Sequence, residues 1–403
     1  MIPHHSCRLL SVVIFLSAAT LSMAQRPVRP DAFPPVDEPL PATKSLQMAS
    51  SPADMADWQH YPTYECYVEM MQQYAQQFPL LCRLDTIGTS VEGRLLLCLA
   101  ISGTSTPVVD KREVFYSSTI HGDELVGFHL MLHLIDTLLH AYGTSDHITS
   151  ILNNTTVYIN PLSNPDGTYH GSNNTVQFSR RYNAHGIDLN RNYPDPFATT
   201  AKSIEPENAA MIEYVTRHHF RLAANLHSGS EVMNYPWDSF TSWQQAHPHA
   251  DWWEEVCRRF VDTCRITRPT LFTDVIPSGY IAGGDWYVIS GGRQDYMNYY
   301  HDILELTMEL SSTKKLPSEQ LPLYWAGERQ ALLNFINEVH LLPADDVSLD
   351  ASADVIWRVY PNPTRGTVTI ETPEGQWQAD LTHRAAGIYL LPIGNRWVRV
   401  VKL

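Results

Sequence analysis

Apolar positions along the chain recur at two spacings, one helical and one typical of strands. Over residues 64–77, Cys66, Met70 and Tyr74 fall close to a 3.6-residue period. Pro79 follows this stretch and cannot continue a helix. The pattern therefore predicts a helix as the first regular element of the chain's large domain.

Strand and helix patterns alternate through the rest of this domain. Strands are predicted over 95–101, 113–119, 156–160 and 222–226, and helices over 123–142, 205–219 and 319–341. Strands that alternate with helices of this length predict an α/β fold with a mixed, mostly parallel central sheet flanked by helices. Ligands of such sheets bind in loops at the carboxyl ends of the strands. Functional side chains are therefore expected in those loops.

The N-terminal end differs in composition from this domain, which is predicted to span 57–342. Arg8 precedes an apolar run of 13 residues that ends near the small residue Ala24, which predicts a signal peptide over 1–24 and an exported mature chain. Because a membrane span needs ~20 apolar residues, no transmembrane segment is expected. Seven prolines and little periodicity over 25–56 predict a leader without a core of its own.

The C-terminal end carries a second pattern of short strands. Residues 343–354 are polar and open with Pro343, which predicts a linker. Beyond them, the stretches 367–371 and 387–391 have strand character and are separated by turn signals. A small all-β appendage is therefore expected at 355–403.

Charge and cysteine content exclude several classes of protein. The chain carries 28 Lys and Arg against 43 Asp and Glu, a net charge of −15, and it has no basic run, so nucleic acid is not an expected partner. Removal of the predicted signal peptide leaves five cysteines. An odd number without CxxC spacing implies neither a closed disulfide framework nor a structural zinc site.

Two histidines and a glutamate at strand ends form a candidate metal site. His121 and Glu124 follow the strand predicted at 113–119, and residues three apart share one face of a helical turn. His227 follows the strand predicted at 222–226, at the same edge of a parallel sheet. A catalytic zinc ion takes three protein ligands and keeps one position open for water. The alternative for His121 is a residue at the start of a helix that bonds only to backbone.

Six motifs in a fixed order resemble one known family. They are His121-Gly-Asp-Glu124, Asn164-Pro-Asp-Gly167, Arg181-Tyr-Asn-Ala-His-Gly-Ile-Asp188-Leu-Asn190-Arg191-Asn-Tyr-Pro194, His227-Ser228, Gly283-Gly-Asp-Trp-Tyr287 and Glu305-Leu-Thr-Met-Glu309-Leu310. Over residues 58–341 the chain is similar to the M14 zinc metallocarboxypeptidases, and within them to the regulatory, carboxypeptidase N/E-like branch. The resemblance implies one Zn²⁺ per chain on His121, Glu124 and His227, and hydrolysis of the C-terminal bond of peptides or proteins.

The resemblance also implies which residues carry the reaction. Glu309 matches the family's general base, and Arg181 matches the arginine that faces the oxyanion. Glu305 is the competing base, since on a strand the two glutamates share a face about 13 Å apart and only one can serve the metal. Asp188 is expected to accept a hydrogen bond from His121 and thereby fix the orientation of its ring.

A second group of residues is implied in substrate binding. Asn190 and Arg191 match the family's clamp for the terminal carboxylate, where the planar guanidinium meets two oxygens. Tyr287 matches a mobile tyrosine that closes over the terminal residue, with simple packing as its alternative role. Asp238 and Gln294 fall where the regulatory branch contacts a basic side chain, which implies release of C-terminal Lys or Arg.

Several alternatives remain open at this point. Asp238 could instead cap the segment that follows it. Arg293 adjoins Gln294, and an arginine pointing into the pocket would favour an acidic terminal residue. An enzyme of a related M14 group acting on peptidoglycan stem peptides is a second possibility, since a diaminopimelate side chain also carries an ammonium group. A non-catalytic zinc- or peptide-binding module is the alternative outside enzymes.

The appendage at 355–403 is similar to a second family. Tyr360-Pro-Asn-Pro-Thr-Arg-Gly366, Gly387-Ile-Tyr-Leu-Leu391 and the basic end at Lys402 resemble the type A sorting domain of the type IX secretion pathway, in a shortened form. The resemblance implies transport by outer-membrane secretion machinery and a secreted, extracellular or cell-surface enzyme. An ordinary accessory β module is the alternative.

Overall fold

The computed structural model of the chain describes residues 46–104, 111–195, 198, 203–343, 358–360, 364–372, 375–384, 387–393 and 396–402. The predicted signal peptide, the first part of the predicted leader and nearly all of the predicted linker lie outside these residues. None of the described helices is long and apolar enough to cross a membrane.

One mixed sheet organises the large domain. The strands of this domain are β1 (Met48–Ala49), β2 (Tyr61–Pro62), β3 (Cys82–Thr89), β4 (Leu95–Ile101), β5 (Arg112–Ser118), β6 (Thr155–Asn160), β7 (Phe220–His227), β8 (Ser230–Tyr235), β9 (Tyr280–Ala282) and β10 (Leu304–Ser311). The sheet has the order β3-β4-β6-β5-β7-β10-β8-β9. Its central run β6-β5-β7-β10 is parallel, as is the β8-β9 pair, and the other pairings are antiparallel. The predicted fold class is confirmed.

Helices cover both faces of this sheet. They are α1 (Tyr64–Gln77), α2 (Val126–Ala141), α3 (Asp146–Asn154), α4 (Pro165–Thr168), α5 (Pro206–Thr216), α6 (Ala250–Thr267), α7 (Gly283–Trp286), α8 (Arg293–His301) and α9 (Leu321–Asn337). A larger core joins α1, α2, α6 and α9 to one face, and a smaller core joins α5 and α8 to the other. Along β5, Val114 and Tyr116 enter the larger core and Phe115 the smaller, because successive strand side chains point to opposite faces.

Strand β10 shows how polar groups reach the centre of the sheet. Its even-numbered positions are apolar and lie in the larger core, so its odd-numbered positions Glu305, Thr307 and Glu309 point the opposite way. All its residues are buried, as expected for a strand with neighbours on both sides. Two glutamates are thereby held inside the protein on one strand.

Most predicted elements of the large domain match the structure to within a few residues, but two boundaries differ. Helix α2 begins at Val126 rather than at residue 123, because residues 121–125 form a turn. Residues 46–56 belong to the large domain rather than to the predicted leader, since Ala49 and Met55 are buried in the larger core and β1 pairs with β2. The segment is too short for its apolar residues to give a period in the sequence.

The C-terminal segment forms two small antiparallel sheets. One contains β11 (Arg358–Tyr360), β12 (Thr367–Thr372) and β13 (Gly375–Asp380), and the other contains β14 (Gly387–Ile393) and β15 (Arg396–Lys402). A bridge between Thr364 and Lys402 links strand β15 to the segment before β12. The predicted small all-β appendage is therefore present.

Candidate metal centre and active site

The three predicted metal ligands converge at the carboxyl ends of β5 and β7. Ligand atoms of His121, Glu124 and His227 all lie within 4.8 Å of one another. His227 Nδ1 is 2.8 Å from Glu124 Oε2 and 3.1 Å from His121 Nδ1, and His121 Nδ1 is 3.1 Å from Glu124 Oε1. All three side chains are buried. Two imidazole nitrogens and a carboxylate that face one point form a donor set that zinc prefers.

A tight turn, rather than a helix, brings His121 and Glu124 together. Strand β5 ends at Ser118, and the Glu124 backbone N–H donates to the His121 carbonyl at 3.1 Å. The Thr119 hydroxyl donates to the Glu124 carbonyl at 3.1 Å and closes the same turn. The expectation that the pair shares a helical face was therefore wrong in its geometry, although the two side chains do meet.

The outer nitrogen of each histidine has a polar partner that fixes the ring. Asp188 Oδ1 lies 3.0 Å from His121 Nε2, and the Asn225 amide nitrogen Nδ2 lies 2.8 Å from His227 Nε2. When His227 Nδ1 binds a metal, its Nε2 carries the proton, which the amide oxygen of Asn225 must accept. Among the described residues Asn225 Oδ1 has no hydrogen-bond partner, and a half-turn of the amide group exchanges it with Nδ2. The buried amide therefore fits a metal-bound His227, and Asn225 is a site residue that the sequence did not indicate.

Burial keeps the metal-facing imidazole of His227 neutral. Burial lowers the pKa of His227 to about 4, against the opposing effect of Glu124. Near neutral pH its Nδ1 lone pair is therefore free to coordinate a cation, since protonated imidazole cannot be a ligand.

Glu309 is carried to the same place by the neighbouring strand. In the parallel pairing of β7 with β10, Glu309 is the register partner of His227. Its carboxyl group is buried, and burial together with repulsion by Glu124 raises its pKa well above the ordinary value, although Lys314 and Arg181 oppose the shift. A buried carboxyl group thus lies on the strand next to the one that ends at His227.

Glu305, the competing base, is occupied elsewhere. It is fully buried, and its Oε2 is 3.0 Å from Nη2 of Arg293, which is equally buried. Arg293 also contacts the Ser117 hydroxyl and stacks over the Phe115 ring at 5.2 Å. This buried ion pair engages the Glu305 carboxylate away from the candidate metal ligands. It also engages Arg293, whose side chain would favour an acidic terminal residue if it pointed into the pocket.

Two cations balance the carboxylates of the metal centre. Arg181 Nη1 is 3.5 Å from Glu124 Oε1, and its Nε donates to Asp188 Oδ2 at 2.9 Å. Lys314 Nζ is 3.2 Å from Glu124 Oε1 and 3.2 Å from Asp123 Oδ2. Arg181 was predicted, whereas Lys314 was missed; the only signal in the sequence is a lysine soon after the strand that carries Glu309.

The Asp238 carboxylate lies in a pocket of uncharged amides. Its Oδ1 accepts from Gln294 Nε2 at 2.9 Å, and the same nitrogen is 3.2 Å from Asn234 Oδ1. Burial, and then repulsion by Asp295, raise the pKa of Asp238 well above its ordinary value, while Arg191 opposes the shift. The backbone N–H of Asp238 donates to the Asp295 carboxylate. Asp295 is therefore the capping residue here, whereas the Asp238 carboxylate bonds to the pocket amide of Gln294.

Gly283 makes room for this carboxylate. A Cβ at that position would lie 1.9 Å from Asp238 Oδ1 and 2.6 Å from Asn234 Oδ1. Only glycine therefore fits between α7 and the pocket, which explains the paired glycines in the predicted motif. Asn234 is a further pocket residue that sequence reasoning did not single out.

Asn190, Arg191 and Tyr287 lie around the same space. Asp188 caps the short turn of residues 189–191 by accepting from the Asn190 backbone, and Asn190 Oδ1 accepts from the Arg293 backbone at 2.9 Å. The amide nitrogen of Asn190 is left to donate. Burial raises the pKa of the Tyr287 hydroxyl, and the charges that act on it include those of Glu309 and Arg191.

Known proteins are similar to this chain in sequence and in fold. A family model described as zinc carboxypeptidase matches residues 67–331. Carboxypeptidase D of Anas platyrhynchos is 33% identical over 312 residues, covering 74% of this chain and 22% of that protein. The carboxypeptidase N catalytic chain of Rattus norvegicus is 32% identical over 317 residues, covering 69% of this chain and 68% of that one. The crystal structure of carboxypeptidase A from Helicoverpa armigera has a TM-score of 0.60 at 21% identity and covers 72% of this chain and 75% of that one.

The class that the fold and ligand set define is an α/β protein with a candidate metal site at the carboxyl edge of its sheet. The chain belongs to the zinc carboxypeptidase family, M14. It spans about a fifth of the length of the carboxypeptidase D relatives that it matches. The family uses zinc, and the donor atoms of His121, Glu124 and His227 fit that ion.

Proposed function

We propose that this protein is a zinc-dependent carboxypeptidase that removes C-terminal Lys or Arg from peptides and proteins. The reaction type rests on one observation, the convergence of His121, Glu124 and His227 next to the buried carboxyl group of Glu309. The names of the carboxypeptidase D and N relatives support the same activity.

Glu309 is the proton carrier of the proposed reaction. Zinc, when bound, polarises the scissile carbonyl and lowers the pKa of a water molecule. Glu309 takes the proton of that water and transfers it to the leaving amine nitrogen. The burial of Glu309 on the strand paired with that of His227 suits a group that must hold this proton between the two transfers. Arg181 stabilises the negative charge that develops on the carbonyl oxygen.

The free carboxylate of the substrate is the feature that makes the enzyme an exopeptidase. Asn190 offers its amide N–H groups and Arg191 its planar guanidinium, which together match two carboxylate oxygens. Tyr287 lies among the same charges and closes over the terminal residue. Internal peptide bonds lack the carboxylate and are therefore not cleaved.

Asp238 supports the preference for basic terminal residues. It is a buried carboxylate whose near partners are amides and another acid, so a substrate ammonium or guanidinium group supplies the missing positive charge. An apolar side chain would leave that carboxylate unpaired, at a cost of about 2–5 kcal/mol. Arg293 does not compete, because it pairs with Glu305.

Matched peptides that differ only in the last residue test this proposal. We expect kcat/KM for peptides ending in Lys or Arg to exceed that for Leu by about 10²–10³-fold. A chelator should abolish release, and added zinc should restore it. Equal rates for Lys and Leu would overturn the specificity, and activity that resists the chelator would overturn the chemistry. Faster cleavage of a stem peptide ending in diaminopimelate would favour the peptidoglycan alternative.

The ends of the chain support an exported enzyme. We propose that residues 1–24 are a signal peptide and that the appendage at 355–403 directs the enzyme through outer-membrane secretion machinery to the cell surface or medium. The apolar run before Ala24 and the all-β fold of the appendage support this assignment. N-terminal sequencing of the exported protein should begin at Gln25, and deletion of 355–403 should retain it in the periplasm. Export of the deleted form would contradict the sorting role.

A further inference from the structure

Two exposed aromatic side chains flank Arg181 on its loop. Phe178, three residues before Arg181, is 64% exposed, and Tyr182, directly after it, is 40% exposed. Exposed apolar groups at the edge of a polar site are typical of binding surfaces, whereas single ones elsewhere need no explanation.

The loop holds these rings outward by anchoring the residues between and around them. Val176, Ser179 and Asn183 are buried. Lys315 Nζ donates to the carbonyl oxygens of Gln177 at 3.2 Å and of Ser179 at 3.1 Å. The two rings are therefore presented by a fixed loop, and ordering them on a ligand costs little conformational entropy.

Backbone hydrogen bonds join the same loop to the turn that carries the metal ligands. The Gly122 N–H donates to the Arg181 carbonyl at 3.1 Å, and the Arg180 N–H donates to the Gly167 carbonyl at 2.9 Å. Gly122 packs so closely that a Cβ there would lie 2.4 Å from the Gly167 backbone. Since His121 precedes Gly122, the aromatic residues belong to a rigid wall beside the metal centre.

The position of this loop determines which part of a bound peptide contacts its aromatic side chains. The terminal residue is held by side chains from 234–238 and 283–294, which include Asp238 and Gln294. The loop of Phe178 is bonded instead to the segments that carry Gly122, Gly167 and Lys315. Because the scissile carbonyl lies at the metal between the two, the part of the peptide before that bond must leave along the second side.

We propose that Phe178 and Tyr182 bind the residues that precede the scissile bond and favour aromatic or large apolar side chains there. This inference rests on the proposed carboxypeptidase activity and specifies the substrates of the same site. A ring that covers about 50 Å² of apolar substrate surface gives about a tenfold gain in affinity, or about 1.4 kcal/mol. Two rings therefore distinguish apolar from small residues by about 10- to 100-fold.

Binding to an inactive background tests the surface separately from turnover. In zinc-loaded Glu309→Gln protein, dissociation constants are measured for Gly-Gly-Phe-Phe-Arg and for Gly-Gly-Gly-Gly-Arg. We expect the Phe peptide to bind about 10- to 100-fold more tightly. Adding Phe178→Ala and Tyr182→Ala should reduce this ratio by about tenfold or more. Leu80→Ala is the matched control, because Leu80 is 82% exposed just before β3 and is not one of the residues of the Phe178 loop, so it should leave the ratio unchanged.

The outcomes separate the two proposals. A ratio near one in the parent, or a ratio that survives both alanine substitutions, overturns the aromatic surface. A ratio that falls equally in Leu80→Ala overturns it as well, since the effect would not depend on position. Failure of the wild-type enzyme to release arginine from either peptide would instead overturn the proposed function, while the binding ratio would still measure the surface.

Discussion

The candidate metal centre and the pocket proposed for the terminal residue differ in how they balance buried negative charge. At the metal centre, Glu124 is met by two imidazoles and by the cations of Arg181 and Lys314 at 3.5 and 3.2 Å. In the pocket, Asp238 is bonded to the amide of Gln294 and repelled by Asp295. The first region supplies its own positive charge, whereas the second leaves a carboxylate for the substrate to neutralise.

This difference predicts which substitutions affect the reaction itself and which affect the choice of substrate. Substitutions in the metal centre should affect every substrate alike, because its charges act on groups common to all peptides. Substitutions in the pocket should change the ranking of substrates, because its charge is balanced only by a basic terminal side chain. Substitutions in either region test this separation.

Glu309→Gln should give the largest effect. The amide cannot accept the proton of the attacking water, so we expect kcat to fall by about 10⁴-fold for Lys, Arg and Leu peptides alike. Zinc content, measured by atomic absorption, should equal that of the wild type, since Glu309 is not a ligand. A loss confined to basic substrates would break the separation of the two regions.

Asp238→Asn should give a smaller and selective effect. We expect kcat/KM for Lys and Arg peptides to fall by about 100-fold, because their charge loses the carboxylate proposed to pair with it. Leu peptides should keep their rate or gain, since no unpaired carboxylate faces them. Steady-state kinetics on the three peptides give the ratio, and an equal fall on all three would place Asp238 in the reaction rather than in recognition.

Asp188→Asn should act through the metal. The amide keeps an oxygen for the Asn190 backbone but is a weaker acceptor for the His121 ring. We expect zinc affinity to fall by about 10- to 100-fold, measured by competition with a chelator. The ratio of Lys to Leu turnover at saturating zinc should not change. A changed ratio would show that the metal centre and the pocket are coupled.

The sequence predicted the parts of this site that follow strand ends. His121 and His227 could be placed together because they end neighbouring parallel strands, and Glu309 because the motif register fixed its position. The helical geometry expected for Glu124 was wrong, because strand-to-helix spacing does not distinguish a turn from a first helical turn. The fold class followed from the alternation of patterns in the same way.

Contacts between distant side chains could not be predicted. The pairing of Arg293 with Glu305 decides two open questions at once, yet nothing in the local pattern of either residue indicates it. Nothing in the sequence distinguishes Lys314 or Asn225 from other polar residues. Only the fold brings Lys314 to Glu124 and Asn225 to His227. Such pairs depend on side-chain packing across elements, which periodicity does not encode.

Glu328 is another buried carboxylate, and it allows the effect of burial to be measured separately from function. Within the described part of the chain, neither carboxylate oxygen of Glu328, on α9, has a hydrogen-bond partner. Burial, and then repulsion by Glu231, raise the pKa of Glu328 well above its ordinary value of 4.5, although Arg268 opposes the shift. Glu328 is not among the residues proposed here for metal or substrate binding, so its effect should appear in stability alone.

Glu328→Gln should therefore change the pH dependence of folding and leave catalysis untouched. Above pH 4.5 the unfolded chain loses the proton that the folded protein keeps on Glu328. Its contribution to the free energy of unfolding thus falls by about 1.4 kcal/mol per pH unit until the raised pKa is reached. Glutamine has no proton to lose, so the difference in stability between variant and wild type should shift in favour of the variant from pH 5 to 7. Urea unfolding of both proteins at matched zinc measures this slope. Parallel stability curves would mean that Glu328 ionises normally in the folded state, and burial alone would then not explain the raised pKa of Asp238 either.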